Sequence, residues 1–290
     1  VLCGNGMATA QAIHVCCEAG VPIVHLTMGG WFHGVTSGIT LRNAFDRAAQ
    51  FATAAQADRC LGLARAFVTA KITNQRTLLR RNASGSPGAD LEALARSARS
   101  ASSVSDLPSL LGQEGNAARI YFANFGRLLR AEGVDFVFEG RNRRPPIDPV
   151  NALLSFGYAL LAKECTVALL GVGLDPYWGV YHQPRHGRPG LALDLMEEFR
   201  PLIVDSAVIT ALNTGMVRAT DFRRTRSACL LTDKGRAAFI RAYEARLQQL
   251  ATHPEFDYRC SWRQLVHLQA RLLGRAFRGD VPDYRGMTTR

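Results

Sequence analysis

Residues 150–170, VNALLSFGYALLAKECTVALL, make one long segment that is apolar on almost every side. A helix without a polar face belongs in an interior, so the rest of such a chain has to be built around it. The flanking sequence fits that demand. From about Leu41, apolar residues recur at three- and four-residue intervals: Phe45, Ala48, Ala49 and Ala52, then Leu63, Phe67, Ala70 and Leu78. Further helices are expected over residues 90–99 and after Gly115, with Ala118, Phe122, Phe125 and Leu129 on one side. Others are expected between Pro189 and Pro201, over 233–250 and over 261–277. Residues 100–112 read as a loop, NASGSPG at 82–88 as a turn cluster, and EGRNRRPPIDP at 139–149 as a connection. The front of the chain differs. VPIVHLTM at 21–28 is β-branched, and glycines follow to about residue 38, which reads as strands with tight turns. The expected class is mainly α. A β-rich part covers residues 1–39, a large helical domain covers 40–278, and a mobile tail covers 279–290.

The basic residues number 35 against 24 acidic ones, a formal charge of +11. Lys71, Lys163 and Lys234 are the only lysines, so arginine dominates. Arginine codons abound in GC-rich genomes, and the guanidinium fork also suits phosphate; both readings stand. The charge itself favours a polyanionic partner. In LGLARAFVTAKITNQRTLLRR (61–81), Arg65, Thr69, Ile72, Arg76 and Arg80 fall near one side of a helix. No acid stands between Asp58 and Asp90, so this stripe is expected to contact phosphate. Arg141, Arg143 and Arg144 form a second cluster, and Arg218, Arg223, Arg224 and Arg226 a third. The seven cysteines include no CxxC pair and are odd in number, which argues against a disulfide framework and a zinc ribbon. Reduced thiols in the cytoplasm are expected. No unbroken apolar run reaches the roughly 18 residues of a membrane span. The chain begins at Val1, so its natural amino terminus is expected to lie upstream.

Three sets of acids and histidines stand out. LALDLMEEFR at 191–200 is apolar nearly all round, yet carries Asp194, Glu197 and Glu198. Asp194 and Glu197 are three apart and share a face. Buried carboxylates need a compensating cation, which is a metal ion or an arginine. His182 precedes them in an aromatic, turn-rich stretch, and one imidazole beside paired carboxylates suits manganese or magnesium. His186 would complete HxxxH, but Pro184 and Gly187 oppose the helix that a zinc pair needs. Glu114, just before Gly115, reads either as a third ligand or as an acid placed at a helix N-terminus.

Taken in order, several strings resemble the CRISPR spacer-acquisition integrase family. They are GVPIVHLTMGGWFHG, ARAFVTAKITNQRTLLRR, QEGNAARIYF, NRRPPIDPVNALLSFGYALL, GLDPYWGVYHQPRHGRPGLALDLMEEFRPLIVD, LNTG and LTDKGRAAFIRAYEARL, together spanning about residues 20–250. The resemblance implies a small β-rich N-terminal domain, incomplete here because its first strands are missing, followed by a large all-helical domain. It implies a catalytic Mg2+ or Mn2+ held by Glu114, His182 and Glu197, with Asp194 assisting. The implied reaction is transesterification, in which a prespacer 3′-hydroxyl attacks a phosphodiester at the edge of a repeat. Arg65, Arg76, Arg80, Arg143 and Arg144 are the expected contacts to double-stranded DNA. The implied partners are a second copy of the chain and a small ferredoxin-like CRISPR-associated protein. In some relatives the chain is fused to a RecB-like exonuclease. Two rivals remain: a metal-dependent nuclease that activates water, and a catalytically silent nucleic-acid scaffold.

Overall fold

The computed structural model describes residues 2–27, 32–38, 44–85, 87–130, 136–142 and 145–289. Among these the protein is mainly helical, as the sequence predicts. It forms two compact units, each assembled from separate stretches of chain: residues 1–63, 159–196 and 266–284, and residues 64–158, 197–265 and 285–290. The expected boundary near residue 39 therefore marks the end of a small sheet, not of a compact unit.

In the first unit, β1 (Leu2–Cys3), β2 (Ile23–Leu26) and β3 (Phe32–Thr36) form a three-stranded sheet. β1 runs parallel to β2, and β3 runs antiparallel to it. Between the first two strands lies α1 (Ala10–Glu18), begun by Thr9, whose hydroxyl accepts the Ala12 amide at 3.2 Å. The next helix, α2 (Ala44–Ala54), reverses the sequence expectation. Its buried side chains are Asp46, Gln50 and Thr53, while Phe45 is 82% exposed and Ala48 and Ala52 also face out. The reason is a helix end. α10 (Trp262–Arg278) finishes beside α2 and the start of α3 (Ala57–Asn82), and its last carbonyls have no partners within their own helix. Arg59 supplies them, donating to the Ala276 and Phe277 carbonyls at 3.1 Å each, while Asp46 pairs with Arg278. A polar face wins over an apolar one because it satisfies backbone that would otherwise be stranded.

The second unit holds most of α3, with Phe67, Val68, Ile72 and Leu79 fully buried. α4 (Gly88–Ala101) packs on α5 (Leu107–Phe125). Two expectations fail here. Residues 107–112 are helix rather than loop, because Asp106 caps the Ser109 amide at 2.7 Å and Pro108 occupies the first turn. Glu114 therefore sits two turns inside α5, where the helix terminus no longer accounts for it. α6 (Pro149–Gly171) is the long apolar helix; its length and mean hydropathy of 1.5 would suit a membrane, but 56% of that window is buried inside the protein. A Cβ on Gly157 would lie 2.6 Å from Val204, so glycine is what lets α6 approach so closely. α7 (Gly190–Phe199) does not stop at Pro201. It continues through a π-helical turn (Arg200–Asp205) into α8 (Ser206–Asn213), the wider turn absorbing a proline that an α-helix would reject.

The helical part is not free of strands. β4 (Phe222–Arg224) pairs with β5 (Cys229–Leu231), and beyond α9 (Asp233–Gln248) β6 (Leu250–Thr252) pairs with β7 (Arg259–Ser261). The expected mobile tail is also corrected. Met287 is fully buried, its amide donates to Glu198, and its carbonyl accepts from Asn74 at 2.8 Å. Asn74 also accepts the Thr289 amide at 3.1 Å. The six cysteines with described side chains are free thiols, in line with the absence of a disulfide pattern.

Candidate active site

Lys71 lies in the middle of α3 and is 5% exposed. A lone ammonium there would be costly, and it is neutralised from two sides. Glu114 of α5 reaches it directly, and the Glu197 carboxylate lies 2.7 Å away. Three residues past Glu197, Arg200 places its Nε 3.2 Å from the same carboxylate. The Arg200 guanidinium also lies over the Tyr158 ring, 4.5 Å from its centroid. Burial works against the Arg200 charge, but Glu197, Tyr158, Glu114 and Asp205 outweigh it and hold its pKa above the usual value. Two carboxylates and two cations thus close a buried charge balance, built from α3, α5, the last turn of α7 and the π turn after it.

Behind this group, Asp205 in the π turn accepts the hydroxyls of Tyr121 and Tyr158, each at 2.7 Å. Burial raises the Asp205 carboxyl to about 6, although both tyrosines pull it down. The same burial, with the neighbouring Asp205 charge, pushes both phenols well above their usual range.

His182 belongs to the other unit and is held by Asp194. One Asp194 oxygen accepts the amides of Val180 at 2.7 Å and Tyr181 at 3.0 Å. The other accepts the His182 amide and faces His182 Nδ1, both at 2.7 Å. A carboxylate on Nδ1 fixes the proton there and leaves the lone pair on Nε2, the tautomer of a metal ligand or base. Glycine is required on both sides of this knot. A Cβ on Gly179 would come within 2.4 Å of the His182 carbonyl oxygen, and one on Gly190 within 2.6 Å.

The predicted residues therefore divide. Glu114 and Glu197 come together, on Lys71. Asp194, expected as an assisting metal ligand, accepts four donors in this structure, from Val180, Tyr181 and twice from His182. Through the last two it orients His182. Among the described residues no group of three or more His, Cys, Asp or Glu side chains is placed to hold a metal ion. His186 is exposed.

The members of the arginine stripe differ in their surroundings. Arg65 donates to the Val104 carbonyl, and Arg76 donates to the Leu91 carbonyl at 3.1 Å, so both tie α3 to its neighbours. Arg80 is exposed, as a phosphate contact must be. Arg143 and Arg144 lie outside the described residues. Lys71 and Arg200 are the site residues that sequence reasoning missed. Their signal was indirect: a buried acidic helix had to find cations, and Lys71 is one of just three lysines.

The sequence model of the family described as CRISPR associated protein Cas1 matches residues 1–245. A CRISPR-associated exonuclease Cas4/endonuclease Cas1 fusion from Geobacter sulfurreducens is 49% identical over the whole of this chain, which spans 53% of that protein. The chain thus covers about half the length of that fusion. CRISPR-associated endonuclease Cas1 3 from Thermus thermophilus is 40% identical, with 100% of this chain and 85% of that one covered. Among solved structures, a casposase bound to integration product superposes with a TM-score of 0.81 at 24% identity, covering 97% of this chain and 78% of that one. Family match, long relatives and shared fold agree, and the chain belongs to the Cas1 family.

Proposed function

We propose that this chain inserts DNA ends into a CRISPR array by metal-dependent transesterification. The observation that carries the reading is the convergence of Glu114 and Glu197, from separate helices, on one buried cation. Two hard carboxylates aimed at a single positive charge are a donor set that a divalent ion can share, with Lys71 holding the place. His182, through Nε2, is the third ligand in this reading, on the strength of the family resemblance. Bound Mg2+ or Mn2+ would lower the pKa of an attacking hydroxyl and offset charge on the phosphate.

The chain's own residues do the rest. Asp194 keeps the His182 proton on Nδ1. Arg200 and Lys71 supply positive charge beside the carboxylates, and exposed arginines such as Arg80 hold double-stranded DNA by its phosphates. The prespacer 3′-oxygen forms a bond to phosphorus as the bond to the repeat's own 3′-oxygen breaks. The proton of the attacking hydroxyl ends on the departing oxygen. One phosphodiester is exchanged for another, so no external energy source is needed.

The reading extends to assembly. Homodimers, the small ferredoxin-like partner and, given the Cas4/Cas1 fusion relative, a RecB-like exonuclease are the proposed companions. The cytoplasm, where the array resides, is the proposed location. A branched-DNA assay tests the chemistry. With Mn2+, a labelled prespacer end should become joined to a repeat, and His182→Ala should abolish joining while duplex binding persists. Cleavage without joining would favour the water-using nuclease. Metal-independent binding with neither product would favour the silent scaffold.

A further inference from the structure

Arg200, Arg263 and Arg278 each face a carboxylate. Arg246, in the last turn of α9, faces none among the described residues. Its Nε donates to the Leu202 carbonyl at 2.7 Å, and one Nη donates to the Gln249 side-chain oxygen at 2.6 Å. The guanidinium lies over the Trp262 ring, 5.0 Å from its centroid. These contacts fix its direction without neutralising it. Burial alone acts on the charge and pulls the pKa down to about 10. A guanidinium offers further N–H donors beyond the two used here. A half-buried cation with donors to spare and no counter-charge is costly to hold unless something outside the chain completes it.

Beside it lies open space. A cavity of about 700 Å³ runs between the end of α3, α8, the end of α9 and the β6–β7 hairpin. Arg246 and Arg81 line it together, with the hydroxyl residues Thr210, Thr252 and Thr288. His253 adds a buried imidazole to the same wall. That ring stacks on Phe256 with centroids 4.7 Å apart. Its Nδ1 accepts the Glu255 amide at 3.2 Å, so the ring proton stands on Nε2 as a donor. Asp257 is the single carboxylate among the described lining residues. Leu78, Ile209 and Leu250 give the remaining wall an aliphatic face. Glu114, His182 and Glu197 do not border this cavity.

Guanidinium, imidazole and hydroxyl donors on one wall suit an anion with many acceptor oxygens. A phosphate monoester brings more oxygens and more charge than a carboxylate, and the guanidinium fork matches it. The volume exceeds what inorganic phosphate needs. It suits a ligand of mononucleotide size, whose body the aliphatic wall would cover. We infer that this cavity is a second phosphate-binding site, in which Arg246 and Arg81 hold the phosphate group of a nucleotide-sized ester. That phosphate comes from a free nucleotide or from a DNA backbone, and the chemistry of recognition is the same. The inference stands apart from the integrase reading, since it uses none of the residues on which that reading rests.

The test uses the whole chain in chelator, so that no divalent ion recruits phosphate. Calorimetry with thymidine 5′-monophosphate should show one site per chain, tighter than the site for inorganic phosphate, and thymidine should not bind. Arg246→Gln should weaken the nucleotide by about ten-fold or more, the scale of a hydrogen bond to a charged group. Thr252→Trp, at an exposed position of β6, fills the cavity from its rim and should cause the same loss at an unchanged melting temperature. It decides the matter if Arg246→Gln does not fold. Arg241→Gln, exposed on the same helix, should bind as the wild type does. A blunt duplex identifies the source. If it displaces the nucleotide, the phosphate is that of DNA; if both bind together, it is that of a free ester, and the site stands in either case. A wild type that binds no nucleotide at millimolar concentration overturns the site, and so does binding that survives both Arg246→Gln and Thr252→Trp. Equal losses in Arg241→Gln and Arg246→Gln would reduce the binding to the general attraction of a chain of charge +11 and overturn it as well.

Discussion

The buried cation at Lys71 sets the terms for every residue around it. Of its two carboxylate partners, Glu197 was visible in the sequence as an acid in an apolar helix, while Glu114 could also be read as an acid at a helix N-terminus. Lys71 itself was hidden, because a lysine inside an arginine-rich helix reads as one more member of a basic face. The pairing is tertiary and leaves no local trace. Lys71→Met should destabilise the metal-free protein by about 3 kcal/mol, the scale of a buried pair broken on one side. Mn2+ should restore more of the melting temperature in this variant than in the wild type, as thermal unfolding with and without the ion would reveal. A variant that Mn2+ fails to rescue would deny the carboxylates a metal. Asp205 provides a second test. Its folded pKa of about 6 lies above the unfolded value, so the native state holds the proton more tightly. The stabilisation this gives is complete below about pH 4 and is lost as pH rises through about 6, up to about 3 kcal/mol in all. Asp205→Asn has no such proton. The stability of the wild type relative to this variant should therefore fall over that window, and urea unfolding at acid and neutral pH would measure it. A flat difference would mean that burial does not perturb Asp205.

Local signals foretold several helices but not all, and which face a helix buries depended on its neighbours. Thr232, whose hydroxyl accepts the Gly235 amide, starts α9 as its sequence says. α5 began earlier than foreseen, because Asp106 and Pro108 outweigh two glycines. For α2 the apolar period pointed outward, since what lies beneath it is a helix end and a loop in need of hydrogen bonds. Only the folded chain reveals that neighbour. Gln50→Leu tests this account. It preserves bulk but strands two carbonyls and an amide of the 175–178 loop, so it should cost about 3 kcal/mol, at about 1 kcal/mol for each bond lost. Chemical denaturation would measure the loss, and limited proteolysis should then cut near Trp178. A neutral substitution would show that the loop is held by other means.

At the scale of the whole protein, a charge of +11 is still to be assigned between structure and binding. Sequence alone placed Arg65, Arg76 and Arg80 on equal terms. Folding separates them, because Arg65 and the Nε of Arg76 donate to backbone carbonyls while Arg80 is exposed. Arg80→Ala should reduce the slope of log affinity against log salt by about one unit on any duplex. Arg65→Ala should leave that slope alone and lower the melting temperature instead. Salt titrations of the two variants separate the roles, and an altered slope for Arg65→Ala would return it to the DNA surface. The carboxyl end completes the picture. Met287 and Thr289 are bound to Asn74, one helical turn from Lys71, and to Glu198, the residue after Glu197. Removing residues 287–289 would thus unseat groups one residue from Glu197 and one turn from Lys71. Losing residues 287–289 should therefore be felt at the Glu197–Lys71 pair although it removes neither member, so this short strap of backbone works as a brace for a charge cluster it does not touch.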